Sequence, residues 1–140
     1  MVGSGAEWEA VAEEIGRLLA ERGLHRRDGW SRRSDGRGAK AAGGTTIEIL
    51  PGERREEANP WADHVVVTGI GHARNLAVAA SGDAVIAVGG EWGTLAEIAF
   101  ARPLGRRVVA LAGAAEVEGI ETAATPAEAV SLALRNLEQS

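Results

Sequence analysis

The stretch from Asp83 to Phe100 constrains the fold of this chain more than any other part of the sequence. Ala84 to Val88 form a continuous apolar run without polar alternation, which is typical of a strand buried on both faces of a parallel sheet. Glycines follow at positions 89, 90 and 93, and apolar residues then recur at helical spacing: Leu95, Ile98 and Ala99. A strand, a glycine turn and a helix N-terminus in this order present unpaired backbone N–H groups to an anion. The stretch therefore predicts an anion-binding turn at the end of a buried strand.

Strands alternate with helices along most of the remaining chain. Apolar spacing predicts a helix over residues 7 to 22, a short helix over 73 to 80, and a C-terminal helix that starts at Thr125-Pro126 with Glu128 as a capping partner. Strands are predicted over 45 to 50, 63 to 68 and 108 to 111. This alternation predicts an α/β fold with a mostly parallel sheet, and 140 residues suit a single domain over 1–140.

Two N-terminal segments depart from this alternation. The first strand is truncated to Met1-Val2, which precede the turn Gly3-Ser4-Gly5. Residues 24–44 show no apolar periodicity and predict a loop, and 24–38 form its irregular Arg/Gly-rich part. So long a loop is unusual in a compact domain.

Composition excludes several classes of function. A net charge of −5 disfavours non-specific nucleic-acid binding, and the absence of cysteine excludes disulfides and thiolate metal sites. No apolar run approaches the length of a membrane span, and the glycine-rich, acidic N-terminus is not a signal peptide, so a cytoplasmic protein is expected. The only lysine, Lys40, lies in the glycine-rich loop, which argues against pyridoxal-phosphate chemistry. We expect neither a cofactor nor a metal ion.

The glycine turn allows two interpretations. Gly89 and Gly90 with Gly93 and Thr94 form a phosphate cradle if the helix N-terminus binds an anion, or an ordinary tight turn if glycine is needed only for its dihedral angles. Its position at the carboxyl end of a strand favours a site. Glu97 lies three residues after Thr94, which is the spacing of a capping box, and this spacing favours the cap. In an anion site, Glu97 would have to face an uncharged part of the ligand.

A second polar segment follows the strand at 63–68. Arg74 and Asn75 come directly after the turn around Gly69 and Gly71, again at a strand's carboxyl end. Arg74 is either a bidentate phosphate ligand or a solvated side chain, although its charge is unfavourable at a helix start. His64 is more consistent with a strand edge than with a metal ligand, because no partner has ligand spacing.

These residues resemble the LOG-like family. Gly89-Gly90-x-x-Gly93-Thr94-x-x-Glu97 is similar to its PGGxGTxxE motif, and the segment from His72 to Asn75 to its upstream arginine segment. Ile49 to Gly52 and Glu57 to Pro60 resemble its short bacterial branch, which includes molybdenum-cofactor-carrier-like proteins. The resemblance implies a Rossmann-like three-layer domain, a homodimer or higher homo-oligomer, and a phosphorylated, nucleotide-like ligand. Net charge and the lack of a long apolar run predict neither nucleic-acid nor membrane partners.

The resemblance also implies roles for individual residues. Arg74 and Glu97 would form the catalytic pair of a nucleoside 5′-monophosphate phosphoribohydrolase, which cleaves the N-glycosidic bond. The other ligand-binding positions would be Gly3, Ser4, Gly5, Gly71, Asn75, Gly89, Gly90, Gly93 and Thr94. Val88 replaces the proline of the motif, and Asn75 replaces the lysine that usually follows the arginine. The family also has an apolar second strand and a second glycine-rich loop, and residues 24–36 supply neither. We interpret residues 24–36 as the product of a shifted reading frame or an altered gene model, which translation of the coding DNA in the other two frames would test. Three hypotheses follow: a hydrolase, a non-catalytic carrier of a phosphorylated cofactor such as molybdenum cofactor, or a degenerate inactive homologue.

Overall fold

A computed structural model describes residues 5–22, 33–89, 92–111, 113, 117–135 and 137 of the chain. In these ranges, helices and strands alternate, with two short 3-10 turns at Arg55–Glu57 and Gly71–Ala73. The helices are α1 (Gly5–Glu21), α2 (Arg33–Ala41), α3 (Arg74–Ser81), α4 (Trp92–Ala101) and α5 (Pro126–Leu134). The strands are β1 (Ile47–Leu50), β2 (His64–Val67), β3 (Ala84–Ala87), β4 (Arg107–Leu111) and β5 (Glu121–Ala123).

All strand pairs in the described part of the chain are parallel. β1 pairs with β2, and β3, β4 and β5 pair in that order. The predicted α/β fold with a parallel sheet is thus confirmed, although the three-residue β5 was not predicted from the sequence. The predicted first strand at residues 1–2 and the question of a second strand before residue 33 lie outside the described ranges.

The core is built from aliphatic side chains of both strands and helices. Its largest fully buried apolar members are Ile15 of α1, Ile98 of α4, Val109 of β4 and Val130 of α5. The predicted start of α5 is confirmed: the Glu128 N–H donates to Thr125 Oγ1 at 3.2 Å, and the Glu128 carboxylate accepts from the Ala124 N–H at 2.8 Å. The first bond satisfies a donor that the helix itself leaves unpaired, and the second fixes the residue before the N-cap.

The predicted loop over 24–44 is wrong from Arg33 onward, because Arg33–Ala41 form α2. The buried residues of this helix include Gly36, Gly38 and Ala39, so its contact face carries almost no side chain and leaves no apolar periodicity in the sequence. Glycine here allows a close approach: a Cβ atom at Gly38 would lie 1.9 Å from the Glu13 carbonyl oxygen of α1. Packing against α1 therefore overrides the low helix propensity of glycine.

The connection between β1 and β2 contains a buried polar contact. Arg55–Glu57 are exposed, but Asn59 is only 5% exposed. Its backbone N–H and its side-chain amide donate to Glu48 Oε2 at 2.7 Å and 2.9 Å. Asn59 Oδ1 in turn accepts from the Trp61 N–H at 2.8 Å. Asn59 lies in the segment Glu57 to Pro60, which resembles the LOG-like family. This residue therefore holds the buried Glu48 carboxylate of β1.

Candidate functional site

The loops that leave the carboxyl ends of β1 and β2 are tied together. The Thr68 N–H donates to the Leu50 carbonyl at 3.3 Å, and the Gly69 N–H to the Gly52 carbonyl at 2.9 Å. The Gly71 N–H then donates to the Pro51 carbonyl at 2.9 Å. Gly69 and Gly71 have φ values of +64° and +61°, a region that suits glycine. These bonds set the point at which the chain enters α3.

Arg74 and Asn75 are the first two residues of α3, and each has a buried polar atom without a hydrogen-bond partner in the described ranges. Asn75 is 3% exposed, and its Oδ1 has no hydrogen-bond partner among the described residues. Arg74 Nη1 is likewise buried without a partner in these ranges. Buried polar groups are nearly always paired. A ligand that accepts from Arg74 and donates to Asn75 would satisfy both atoms.

The glycine turn follows β3 as predicted. Gly89 has a φ of +81°, and α4 begins at Trp92. A Cβ atom built at Gly93 would find no atom of the described chain within 4 Å, so glycine at this position is not required by packing. Thr94 is buried. The first turn of α4, Trp92 to Leu95, carries no acidic residue, which suits a site for an anion at this helix end.

The capping box predicted for Thr94 and Glu97 is wrong. α4 begins two residues before Thr94, so Thr94 is the third residue of the helix rather than its N-cap. Glu97 is the sixth residue and is half-buried. At the rise of an α-helix it lies about 7.5 Å along the axis from the first residue. The expected repulsion between this carboxylate and an anion at the helix N-terminus is correspondingly reduced.

The structure brings some of the predicted site residues to neighbouring elements. α3 packs against α4 and contacts β1, so the helix that starts with Arg74 and Asn75 lies beside the helix that carries Thr94 and Glu97. Gly5 is the first residue of helix α1. Gly3, Ser4 and Gly90 lie outside the described residues.

Trp92 lies within the glycine motif but was not among the predicted site residues. Its side chain is 87% exposed at the first position of α4. From sequence alone, an apolar residue inside a motif is normally assigned to the core. Only the exposure of the Trp92 side chain in the structure shows that it lies at the surface instead. Trp92 is therefore an apolar surface next to the candidate anion site.

Other kinds of site are less well supported in the described part of the chain. No group of three or more histidine and acidic residues there could hold a metal ion, and His64 is an exposed residue at the start of β2. Lys40, in the last turn of α2, forms an ion pair with Asp63. No helix in the described ranges is long and apolar enough to cross a membrane.

Comparisons with known proteins identify the relatives of this chain. The SLOG cluster4 family matches residues 1–138. An uncharacterized protein from Archaeoglobus fulgidus is 37% identical over 137 residues, covering 94% of this chain and 90% of the relative.

Solved structures of two proteins named for molybdenum cofactor are also similar to this chain. The molybdenum cofactor carrier protein from Chlamydomonas reinhardtii is 32% identical, with a TM-score of 0.82 over 97% of this chain and 91% of the other. The molybdenum cofactor binding protein from Rippkaea orientalis is 28% identical, with a TM-score of 0.80 over 93% and 88%. The predicted resemblance to the LOG-like family and the Rossmann-like α/β fold are confirmed.

Proposed function

The chain belongs to the SLOG cluster4 family, and on this basis we propose that it binds molybdenum cofactor, a phosphorylated pterin, as cargo and does not turn it over. The observation that carries the proposal is the likeness to two proteins named for binding or carrying molybdenum cofactor, which extends over more than 90% of this chain. At 28% and 32% identity this likeness covers sequence as well as fold.

The phosphate of the cargo is assigned to the N-terminus of α4 and to Arg74. The backbone N–H groups of Trp92, Gly93 and Thr94 belong to the first turn of α4 and have no helical acceptor. Arg74 adds a guanidinium group, whose planar fork matches the geometry of a phosphate. The partnerless Arg74 Nη1 supports this assignment, because a phosphate oxygen would satisfy it.

Asn75 is assigned to a different part of the ligand. Its buried Oδ1 accepts hydrogen bonds and therefore requires an N–H or O–H donor. A pterin ring and its substituents offer such donors, whereas a fully ionised phosphate does not. The LOG-like proteins usually have lysine here, and lysine donates only. Asn75 thus favours a ligand with a donor beside its phosphate.

A nucleoside 5′-monophosphate phosphoribohydrolase is the second candidate. It is favoured by the packing of α3 against α4, because Arg74 and Glu97, the catalytic pair that the family resemblance implies, lie on these two helices. In this reaction Glu97 would stabilise an oxocarbenium-like transition state and position water. The changes at Val88 and Asn75 from the family motif weaken this candidate relative to the carrier.

Incubation with AMP separates the two candidates. A carrier is expected to release no adenine, measured by liquid chromatography, while AMP or molybdenum cofactor raises its melting temperature. Release of adenine that is abolished in Glu97→Gln would establish the hydrolase instead. Glu97→Gln keeps the size of the side chain and removes its charge, so a loss of turnover would not reflect lost packing.

A homodimer or higher homo-oligomer belongs to the same proposal. Support comes from large apolar side chains that are exposed in the described part of the chain, at Val66 and Val67 of β2 and Leu76 of α3. Sedimentation equilibrium is expected to give at least twice the chain mass of 14.5 kDa, and a mass of one chain would refute this part of the proposal.

A further inference from the structure

Three arginines border a cavity at the amino ends of β4 and β5. The cavity has a volume of about 390 Å³, and its lining includes Arg102, Arg106 and Arg107. Arg107 is the first residue of β4 and pairs in register with Ala84, the first residue of β3. The candidate site follows the carboxyl end of β3. The cavity, here called the arginine cavity, therefore lies at the opposite end of these strands.

Neutral acceptors hold all three guanidinium groups. Arg102 Nη1 donates to the Glu118 carbonyl at 2.8 Å, and Arg106 Nη2 donates to the Ala80 carbonyl at 3.0 Å. Arg107 Nη1 donates to the Leu132 carbonyl at 3.0 Å. A backbone carbonyl orients a guanidinium group but does not neutralise its charge. Arg102 and Arg106 are thus positioned without losing their attraction for anions, while Arg107 also lies near the Glu121 carboxylate.

The arginine cavity has an excess of positive charge. Its one acidic lining residue, Glu121, is shared, since its carboxylate lies 3.6 Å from Arg107 Nη1 and 3.3 Å from Arg135 Nη1. Arg102 and Arg106 form no ion pair with any carboxylate of the described ranges. The whole chain carries a net charge of −5, so this cluster is a local reversal of its charge.

Arg106 has a buried donor that lacks an acceptor. Its Nε is buried and has no hydrogen-bond partner in the described part of the chain. Nε and a neighbouring Nη of one guanidinium bind two oxygens of an oxyanion. Gly119, which has a φ of +80°, leaves room for the Arg102 side chain, because a Cβ atom there would lie 3.1 Å from Arg102 Nη2.

We propose that the arginine cavity is a second anion-binding site, which takes the phosphoryl group of a small molecule through Arg102, Arg106 and Arg107. The volume of about 390 Å³ falls within the range of pockets that hold small-molecule ligands. The same chemistry would recognise inorganic phosphate. The site is independent of the proposed carrier function, because it lies at the other end of the strands.

Calorimetric titration of Arg74→Ala protein with inorganic phosphate, pyrophosphate and AMP tests the proposal, since this background weakens the candidate site. Arg106→Lys keeps the charge but removes Nε, and is expected to weaken binding about tenfold. Arg102→Ala is expected to do the same and keeps the test valid if the Arg106 variant does not fold. Arg22→Ala, an exposed arginine outside the cavity, serves as the control and is expected to bind like its parent.

The three probes distinguish the sources of the phosphoryl group. Tighter binding of AMP or pyrophosphate than of phosphate would identify a phosphorylated small molecule, whereas equal binding would identify free phosphate. The proposal is overturned if no probe binds at millimolar concentration, or if the Arg102 and Arg106 variants bind as tightly as the Arg22 control.

Discussion

Replacing Gly38 by alanine is expected to separate α1 from α2. The added Cβ atom would lie 1.9 Å from the Glu13 carbonyl oxygen, 2.7 Å from its carbonyl carbon and 3.1 Å from the Arg17 nitrogen. All three are backbone atoms, so no side-chain rotation relieves the clash. The helices must move apart by at least about 1 Å to reach even 3.0 Å, the lower limit of real Cβ contacts.

Two effects of opposite sign determine how much Gly38→Ala changes the free energy of unfolding. Alanine is favoured over glycine inside a helix by about 1 kcal/mol. Overpacking against a rigid backbone costs about 3 kcal/mol, at the upper end of its usual range, because both partners are helices. The net result is a loss of about 2 kcal/mol in the free energy of unfolding. For a chain of 140 residues this loss corresponds to a fall in melting temperature of about 6 °C.

Gly36→Ala is the matched control, in the same helix and with the same gain in helix propensity. Its Cβ atom would lie 3.3 Å from Trp61 Cβ and 3.4 Å from Asn59 Oδ1, so shifts of a few tenths of an ångström suffice. Urea unfolding of both variants is expected to show the larger loss for Gly38→Ala. Equal stability of the two variants would refute the close approach of α1 and α2 and its role in forming α2.

Two further predictions concern polar contacts. Asn59→Ala removes the amide that donates to the buried Glu48 carboxylate and is expected to lower the free energy of unfolding by about 2 kcal/mol in urea titration; an unchanged midpoint would contradict this. The Lys40 ammonium and the Thr46 N–H lower the pKa of Asp63. The Asp63 carboxylate therefore stabilises the fold fully above its unfolded pKa of about 4, and this contribution is lost as the pH falls through the lower folded pKa. The stability difference between wild type and Asp63→Asn is therefore expected to shrink as the pH falls below about 4, and a difference independent of pH would count against the Lys40 contact.

The sequence predicts those elements whose own residues determine them. β3 and α4 are recognisable because an apolar run, glycines and a helical repeat follow one another within eighteen residues. α5 is equally clear, since Thr125, Pro126 and Glu128 are local signals of a helix start. The fold class follows from this alternation of elements.

The missed features depend on contacts between distant residues. α2 is helical because Gly38 fits against Glu13 of α1, and a sequence pattern does not show this fit. The N-terminus of α4 lies at Trp92 rather than at Thr94, although Thr94 and Glu97 have the spacing of a capping box. Neither the burial of Asn75 nor the convergence of Arg102, Arg106 and Arg107 could be predicted, because both arise from the packing of separate elements.

Binding of molybdenum cofactor by wild-type protein and by Arg74→Ala tests the proposed function most directly. Each protein is mixed with the cofactor under exclusion of oxygen and passed through gel filtration, and the molybdenum and the pterin that elute with the protein are measured. The wild type and the Arg22→Ala control are expected to retain both, and Arg74→Ala to bind at least about tenfold more weakly, because it lacks the charge-assisted contact to phosphate. Wild-type protein that elutes without pterin, or Arg74→Ala that retains as much as the control, would contradict the proposed function.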